Sequence, residues 1–448
     1  VATHTINYTP PPTISEFIAH YEPGQLFADW IIGPVGCLPA DSEFLTPAGW
    51  KRMDAYAPGD RVAEWLDGEI TFKEARHVAL PALEEFYAFD SGSLEMVLSP
   101  EHTVIYQDYL GRQRTCAAAE MAAHPSRRTI PTTFRTAATA TEVALSDEQI
   151  RLRVAVSADG HFPNAGQQCV TTLRKDRKKR RLQQLLDAAG VEYKVAVSPA
   201  RPTETRYTFS RLGLTRDLSW VWGLSSRQLA IVLDECTRWD GLNEHAEKRY
   251  YTTIPAHADA IQYAAHACGY RASISAHDDP RSDRWATNLT VSIRTSDNHK
   301  NRAAVREGTR ISRVPAADGM KYCFHTTSGF FVARHNGSVF VTGNSGKTTG
   351  IFFKLAYMAT LQAPSPIDGI RRSRAVVVRN TMPQLKDTTL MSWSYWFKDG
   401  QAGEWKSTDK NFTLKFGDVE CEVLFRPLDT PDDVERVLSL EVTFAVID

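Results

Sequence analysis

Apolar residues in this chain come in short bursts, and the spacing of those bursts changes twice along its length. Residues 29–33 (DWIIG) read as a short apolar strand entering a glycine-rich turn. Residues 350–357 (GIFFKLAY) read as a helix, and 374–379 (RAVVVR) as a buried strand of the kind central to an α/β sheet. Residues 442–448 (VTFAVID) predict a further apolar strand ending in an acid. Charge and pattern shift near Ala144, and a β-like pattern resumes near Ile311. Between them lies a diverged internal repeat. Its first copy, 150–160 (IRLRVAVSADG), is followed by a strand-like stretch and a helix leading to Leu185 and on to Tyr193. The second copy, 229–241 (LAIVLDECTRWDG), has its own trailer from Ala256 to Tyr270. Both copies close on an Asp-Gly step, Asp159-Gly160 and Asp240-Gly241. Through Val156 the first copy alternates apolar and polar residues, which taken alone favours a strand. The basic run 174–181 (RKDRKKRR) precedes a helix and suits either DNA-phosphate contact or a solvated face.

Composition narrows the classes. The chain has 448 residues, room for several domains, with 42% hydrophobic and 23% charged residues, ordinary for globular protein. A formal net charge of −1 gives no global pointer to nucleic acid, so any such pointer is local. The 7 cysteines are scattered, odd in number and without a C-x-x-C pair, which indicates neither a disulfide framework nor a zinc site. A reducing cytoplasm suits them, and no apolar run is long enough to span a bilayer. With no initial Met and a last residue inside a motif, the chain reads as a piece of a longer protein.

The chemistry begins with a phosphate-binding loop cut in two. Residues 33–36 are GPVG and residues 345–349 are SGKTT; joined, they spell GPVGSGKTT, a complete G-x-x-x-x-G-K-[ST] loop. In the joined loop Gly33, Gly36 and Gly346 let the backbone N–H groups cradle phosphates, Lys347 reaches the terminal phosphates, and Thr348 holds Mg²⁺. Asp448, at the end of an apolar strand, has the layout of the second Mg²⁺-holding acid. The segment between the halves starts at Cys37 and ends at Asn344.

Those two residues, with Ser345 after them, are what a protein-splicing element needs at its ends, and the interior motifs follow suit. Cys37 to Thr46, with Gly49-Trp50-Lys51 and Gly59-Asp60-Arg61-Val62, resembles the first intein block. Residues 94–104 (LEMVLSPEHTV) resemble the T-x-x-H block, with Ser99 in place of Thr and His102 as the histidine. Residues 322–344 resemble the last two blocks. The resemblance implies an all-β Hint-type splicing fold that needs no cofactor. Cys37 attacks the Gly36 carbonyl, His102 and Ser99 act on the scissile amide, Ser345 takes the acyl group, and Asn344 cyclises to release the insert. Two positions depart from the family. Gly343 stands where a histidine assists cyclisation, with His335 or His325 as stand-ins, and Cys323 replaces the usual acid and would tune the branch step as a thiolate.

Residues 37–344 exceed what such a splicing fold needs. The two Asp-Gly steps resemble those of a two-repeat LAGLIDADG homing endonuclease, an α+β domain. That resemblance implies DNA as target and Asp159 and Asp240 as ligands of Mg²⁺. Residues 374–397 resemble the ATPase of phage terminase large subunits, which implies ATP and Mg²⁺, DNA packaging, terminase partner proteins, and the cytoplasm of a phage-infected or prophage-bearing bacterium. The expected organisation is 1–36, first host fragment; 37–143, start of the splicing domain; 144–310, endonuclease-like domain; 311–344, end of the splicing domain; and 345–448, second host fragment. The two host fragments are expected to be parts of a P-loop α/β ATPase. Three alternatives stay open: a domain that cleaves without ligating, a stable regulatory insertion, and a helicase or other P-loop motor as host.

Overall fold

The computed structural model describes residues 18–19, 37–136, 143–163, 166–211, 213–244, 247–277, 287–295, 303–343, 347–406, 410–447. It is a multidomain, mixed α/β architecture with several sheets. None of its helices, among the described residues, is long and apolar enough to cross a membrane.

An 11-stranded sheet takes strands from both flanks of the internal repeat. The hairpin Phe330–His335 and Ser338–Gly343 lies between strand Arg61–Leu66 and strand Thr103–Gln107, so a late segment completes a sheet begun early in the chain. Two further pairings do the same: Arg310–Val314 lies on Phe86–Asp90, and Met320–His325 on Arg76–Pro81. The turns follow from sequence. Asp67-Gly68 and Asn336-Gly337 are two-residue hairpin loops with positive φ at both positions (48° and 89°, 45° and 73°), the conformation that type I′ turns demand.

The repeat folds as α-β-β-α-β-β, twice. The first copy has helix α1 (Asp147–Asp159) and α2 (Asp176–Ala188), with a four-stranded sheet from Gly160 to Ser210. The second has α3 (Ser226–Asp240) and α4 (Pro255–Ala267), with a four-stranded sheet from Gly241 to Arg294. Each leading helix starts at a capping box, Ser146 with Gln149 and Ser225 with Gln228. The alternation through Val156 therefore misled: α1 is helical, and Ile150, Leu152, Val154, Ala155, Val156 and Ser157 are all buried. A helix covered on several sides loses its amphipathic period. Arg334 ties the parts together, donating to both carboxylate oxygens of Glu43 (2.6 and 2.9 Å) and reaching Asp259 on α4.

Residues 347–447 form a five-stranded sheet with their own core around Phe352, Val377, Trp393 and Phe425. Strand Arg371–Arg379 is next to the edge, flanked in parallel by Val419–Pro427 and Phe444–Ile447, and its Ala375, Val376, Val377 and Val378 are buried. Within the 442–448 run, Phe444–Ile447 forms a strand, at the sheet edge and half exposed.

Candidate functional site

The two ends of the segment 37–343 meet at the turn carrying Ser99 and His102. Cys37 is fully buried, and its backbone N–H donates to Ser99 Oγ at 2.9 Å. The Ser99 N–H returns to the Cys37 carbonyl at 3.0 Å, and the His102 N–H closes the turn on the Ser99 carbonyl at 3.0 Å. From the other end, Gly343 pairs with Thr103, and the His102 Nε2 hydrogen-bonds Thr342 Oγ1. The N–H that Ser99 accepts belongs to the Gly36–Cys37 amide, so Ser99 touches the peptide unit that the splicing chemistry would break.

Leu38 and Tyr322 exchange both backbone hydrogen bonds, at 2.7 and 2.9 Å. Cys37 and Cys323 are therefore the next facing pair, a non-hydrogen-bonded one in which side chains come closest. Both are fully buried. The hydrogen bond with Cys323 first, and burial second, push the Cys37 thiol well above its ordinary range. Nearby Lys321 pulls the other way; its buried ammonium is held by Glu84 at 2.5 Å and Glu101 at 3.0 Å. The register sets Cys323, the residue in place of the usual acid, directly opposite Cys37.

The histidine stand-ins separate. His335 pairs with Ser338 at the turn end of its hairpin, whereas Gly343 pairs with Phe330 at the other end. Five residues of strand put them roughly 16 Å apart, so His335 lies at the opposite end of the hairpin from Gly343. It is buried, accepts or donates at 3.1 Å with Ser42 Oγ, and its basicity is lowered by burial. His325 ends the strand before the turn that carries Gly329. That turn explains position 343: a Cβ there would lie 2.6 and 2.7 Å from the Phe330 ring and 2.8 Å from the Gly329 carbonyl. Asn344 and Ser345 lie outside the described residues. Sequence reasoning missed Thr342 and Lys321, whose partners are far off in the chain and leave no local signal.

The acids at the ends of α1 and α3 do come together, around a lysine. Lys178 Nζ lies 2.6 Å from Asp159 Oδ2 and 3.1 Å from Asp240 Oδ1. Each Asp-Gly step is sterically required: a Cβ at Gly160 would strike Val156, and one at Gly241 would strike the Arg249 carbonyl and Thr237. Glu235 is fully buried but accepts from Arg151 (3.0 Å), Arg181 (2.9 Å) and Trp239 Nε1 (2.9 Å). The basic run stays on the surface, with Arg174, Lys175, Arg177 and Arg180 exposed, but much of it is paired. Arg174 pairs with Glu204, Arg177 donates to the Arg238 carbonyl, Lys178 holds the two aspartates, and Arg181 holds Glu235. For the Mg²⁺ that the sequence resemblance implied, this donor set does not fit as it stands. Two carboxylates already share an ammonium, and among the described residues no three His, Cys, Asp or Glu side chains cluster to hold a metal ion.

Lys347 and Thr348 are the first two residues of the helix Lys347–Thr360. Gly33, Gly36, Gly346 and Asp448 lie outside the described residues.

No family model matches the chain, and no curated protein matches it. Among solved structures, mesophilic variants of the homing endonuclease I-DmoI match at 12% identity and a TM-score of 0.24, covering 33% of this chain and 88% of theirs. I-DmoI in complex with DNA and Mn matches at 13% identity and a TM-score of 0.24, covering 33% of this chain and 90% of that one. The N-terminal LAGLIDADG domain of DUF199/WhiA matches at 11% identity and a TM-score of 0.24, covering 34% of this chain and 76% of that one.

Proposed function

We propose that residues 37–344 excise themselves and join Gly36 to Ser345, restoring the phosphate-binding loop of an interrupted ATPase. The observation that supports this most is the convergence of Cys37, Ser99, His102 and Thr342 on one buried turn, although Cys37 and Thr342 stand at opposite ends of the insert. Cys37 Sγ attacks the Gly36 carbonyl carbon. The C–N bond breaks, the amide becomes a thioester, and the Cys37 nitrogen leaves as an amine after gaining a proton. Ser99 Oγ orients that nitrogen by accepting its N–H. Ser345 Oγ then displaces the thiol to give an ester, Asn344 cyclises with loss of the Asn344–Ser345 bond, and an O-to-N shift leaves an ordinary Gly36–Ser345 peptide.

The α-β-β-α-β-β pair is proposed as a DNA-directed unit of LAGLIDADG type, supported by the repeated topology and the paired Asp-Gly helix ends. For the spliced host, the reading is a P-loop ATPase of terminase type that takes ATP and Mg²⁺ and packages DNA with terminase partners. It rests on the restored motif and on the parallel strands around 371–379.

Intact mass of the freshly made chain, followed over time in reducing buffer, tests the splicing reading. A joined product of 1–36 with 345–448, plus the excised 37–344 less one water, supports it. Unjoined host pieces would mean cleavage alone, for which the crowded Gly343 position supplies a reason. An unchanged mass, the same for Cys37→Ala, would overturn it.

A further inference from the structure

Helices α1 and α3 end side by side, and their terminal acids look out on the first turn of α2. From that turn Lys178 reaches both carboxylates, 2.6 Å to Asp159 and 3.1 Å to Asp240. Its side chain is only 11% exposed, and the ammonium also lies 5.6 Å from the centre of the Trp239 ring. An ammonium with two carboxylates and an aromatic face is satisfied electrostatically on three sides.

The lysine is not free to swing away with its helix. One residue before it, Arg177 donates to the Arg238 carbonyl in the last turn of α3. One turn after it, Arg181 is bound to the buried Glu235. Both anchors fix α2 against α3, so the root of Lys178 is held where its ammonium falls between the acids. A divalent ion bound by the same two carboxylates at about 2.1 Å would sit within a few ångströms of that ammonium. Like charges at such range repel strongly in a partly buried site.

We propose that Lys178 is the resident cation of this acid pair, occupying the position a divalent metal would need, so that the helix ends take no metal while the lysine is in place. Where the unit meets DNA, it then binds without cutting, a consequence that rests on the DNA-directed reading above. The cation assignment itself stands on the geometry alone.

The test uses the full chain carrying Cys37→Ala and Asn344→Ala, so that self-processing plays no part in the readout. Mn²⁺ is the probe, followed by loss of its free-ion paramagnetic resonance signal and by thermal melting with and without the metal. The background chain should take up no Mn²⁺ at these acids, and its melting temperature should not respond. Lys178→Met should gain one Mn²⁺ per chain, tightened about tenfold or more, with a melting temperature that falls without metal and recovers with it. Adding Asp159→Asn should abolish the gain. Lys178→Arg keeps a cation and should bind none. Uptake of Mn²⁺ by the background chain that disappears with Asp159→Asn would overturn the proposal. So would a Lys178→Met chain that melts cooperatively yet takes up no metal. If Lys178→Met does not fold, the comparison of the background chain with its Asp159→Asn version still decides.

Discussion

Ser99 holds Cys37 by both of its backbone polar groups, taking the Cys37 N–H on Oγ at 2.9 Å and giving its own N–H to the Cys37 carbonyl at 3.0 Å. The backbone half of this clamp survives any substitution at 99, and the hydroxyl half does not. Ser99→Ala should slow thiol-induced cleavage at Cys37 by about 100-fold, the lower end of what one lost transition-state hydrogen-bonding group costs. Ser99→Thr, which keeps the hydroxyl, should stay within a few-fold of the parent. Single-exponential cleavage rates in excess dithiothreitol, read by mass, decide it. An Ala variant as fast as the parent would remove Ser99 from the chemistry.

Cys323 faces Cys37, and its hydrogen bond is the first of the causes that hold the Cys37 proton. The Cys37 thiol is raised above its ordinary range, so the thiolate is scarce at neutral pH and cleavage should accelerate as pH rises. Cys323→Ala removes the largest raising influence and leaves burial. The rising limb of the rate–pH profile should then move to lower pH, with about a tenfold gain at fixed pH for each unit moved. Lys321→Met should move it the opposite way, because the lysine lowers the Cys37 thiol. Profiles from pH 6 to 10 would show both shifts; a Cys323→Ala profile superposed on the parent would contradict the pairing.

Gly343 leaves no space for the histidine that splicing elements commonly carry there. The Phe330 ring lies 2.6 Å from the position of an added Cβ, and the Gly329 carbonyl 2.8 Å. Gly343→His should therefore impair rather than speed release at Asn344, and lower the melting temperature through overpacking. Pairing it with Phe330→Ala removes the ring but not the carbonyl, and should recover only part of the loss. Release rates of the single and double variants check this; a faster Gly343→His chain would refute it.

How much was legible in sequence depends on whether the signal was local. The helix over 350–357, the strand at 374–379 and the two Asp-Gly steps are short-range patterns, and they fall within Lys347–Thr360, within Arg371–Arg379 and at the ends of α1 and α3. The strand-like alternation before Val156 misled because α1 is buried on several faces, so tertiary packing replaced amphipathic period. The basic run is exposed at Arg174, Lys175, Arg177 and Arg180, as a solvated face would be, while its pairings with Asp159, Glu204, Glu235 and Asp240 are reached only by folding and left no local signal. Lys321 was silent for the same reason: Glu84 and Glu101 lie more than two hundred residues earlier.

Glu235 is the last of these distant relationships with a measurable consequence. It is fully buried where α1, α2 and α3 meet, and it takes hydrogen bonds from Arg151, Arg181 and Trp239. Burial alone would raise its carboxyl, but the bonds from Arg181 and Trp239 outweigh burial and hold it below the ordinary range. A carboxylate whose folded pKa is depressed stabilises the fold above its unfolded value, and that stabilisation is lost as pH falls through the folded value. Glu235→Gln should therefore weaken the fold at pH 7 and flatten the dependence of stability on pH below about 4.3, the ordinary glutamate value. Glu235→Ala should cost more, about 3 kcal/mol, because it leaves two arginines without their shared partner. Urea unfolding of the Cys37→Ala, Asn344→Ala chain at pH 7 and pH 4 measures both. Equal losses for Gln and Ala at the two pH values would show that Glu235 acts through packing and not through its charge.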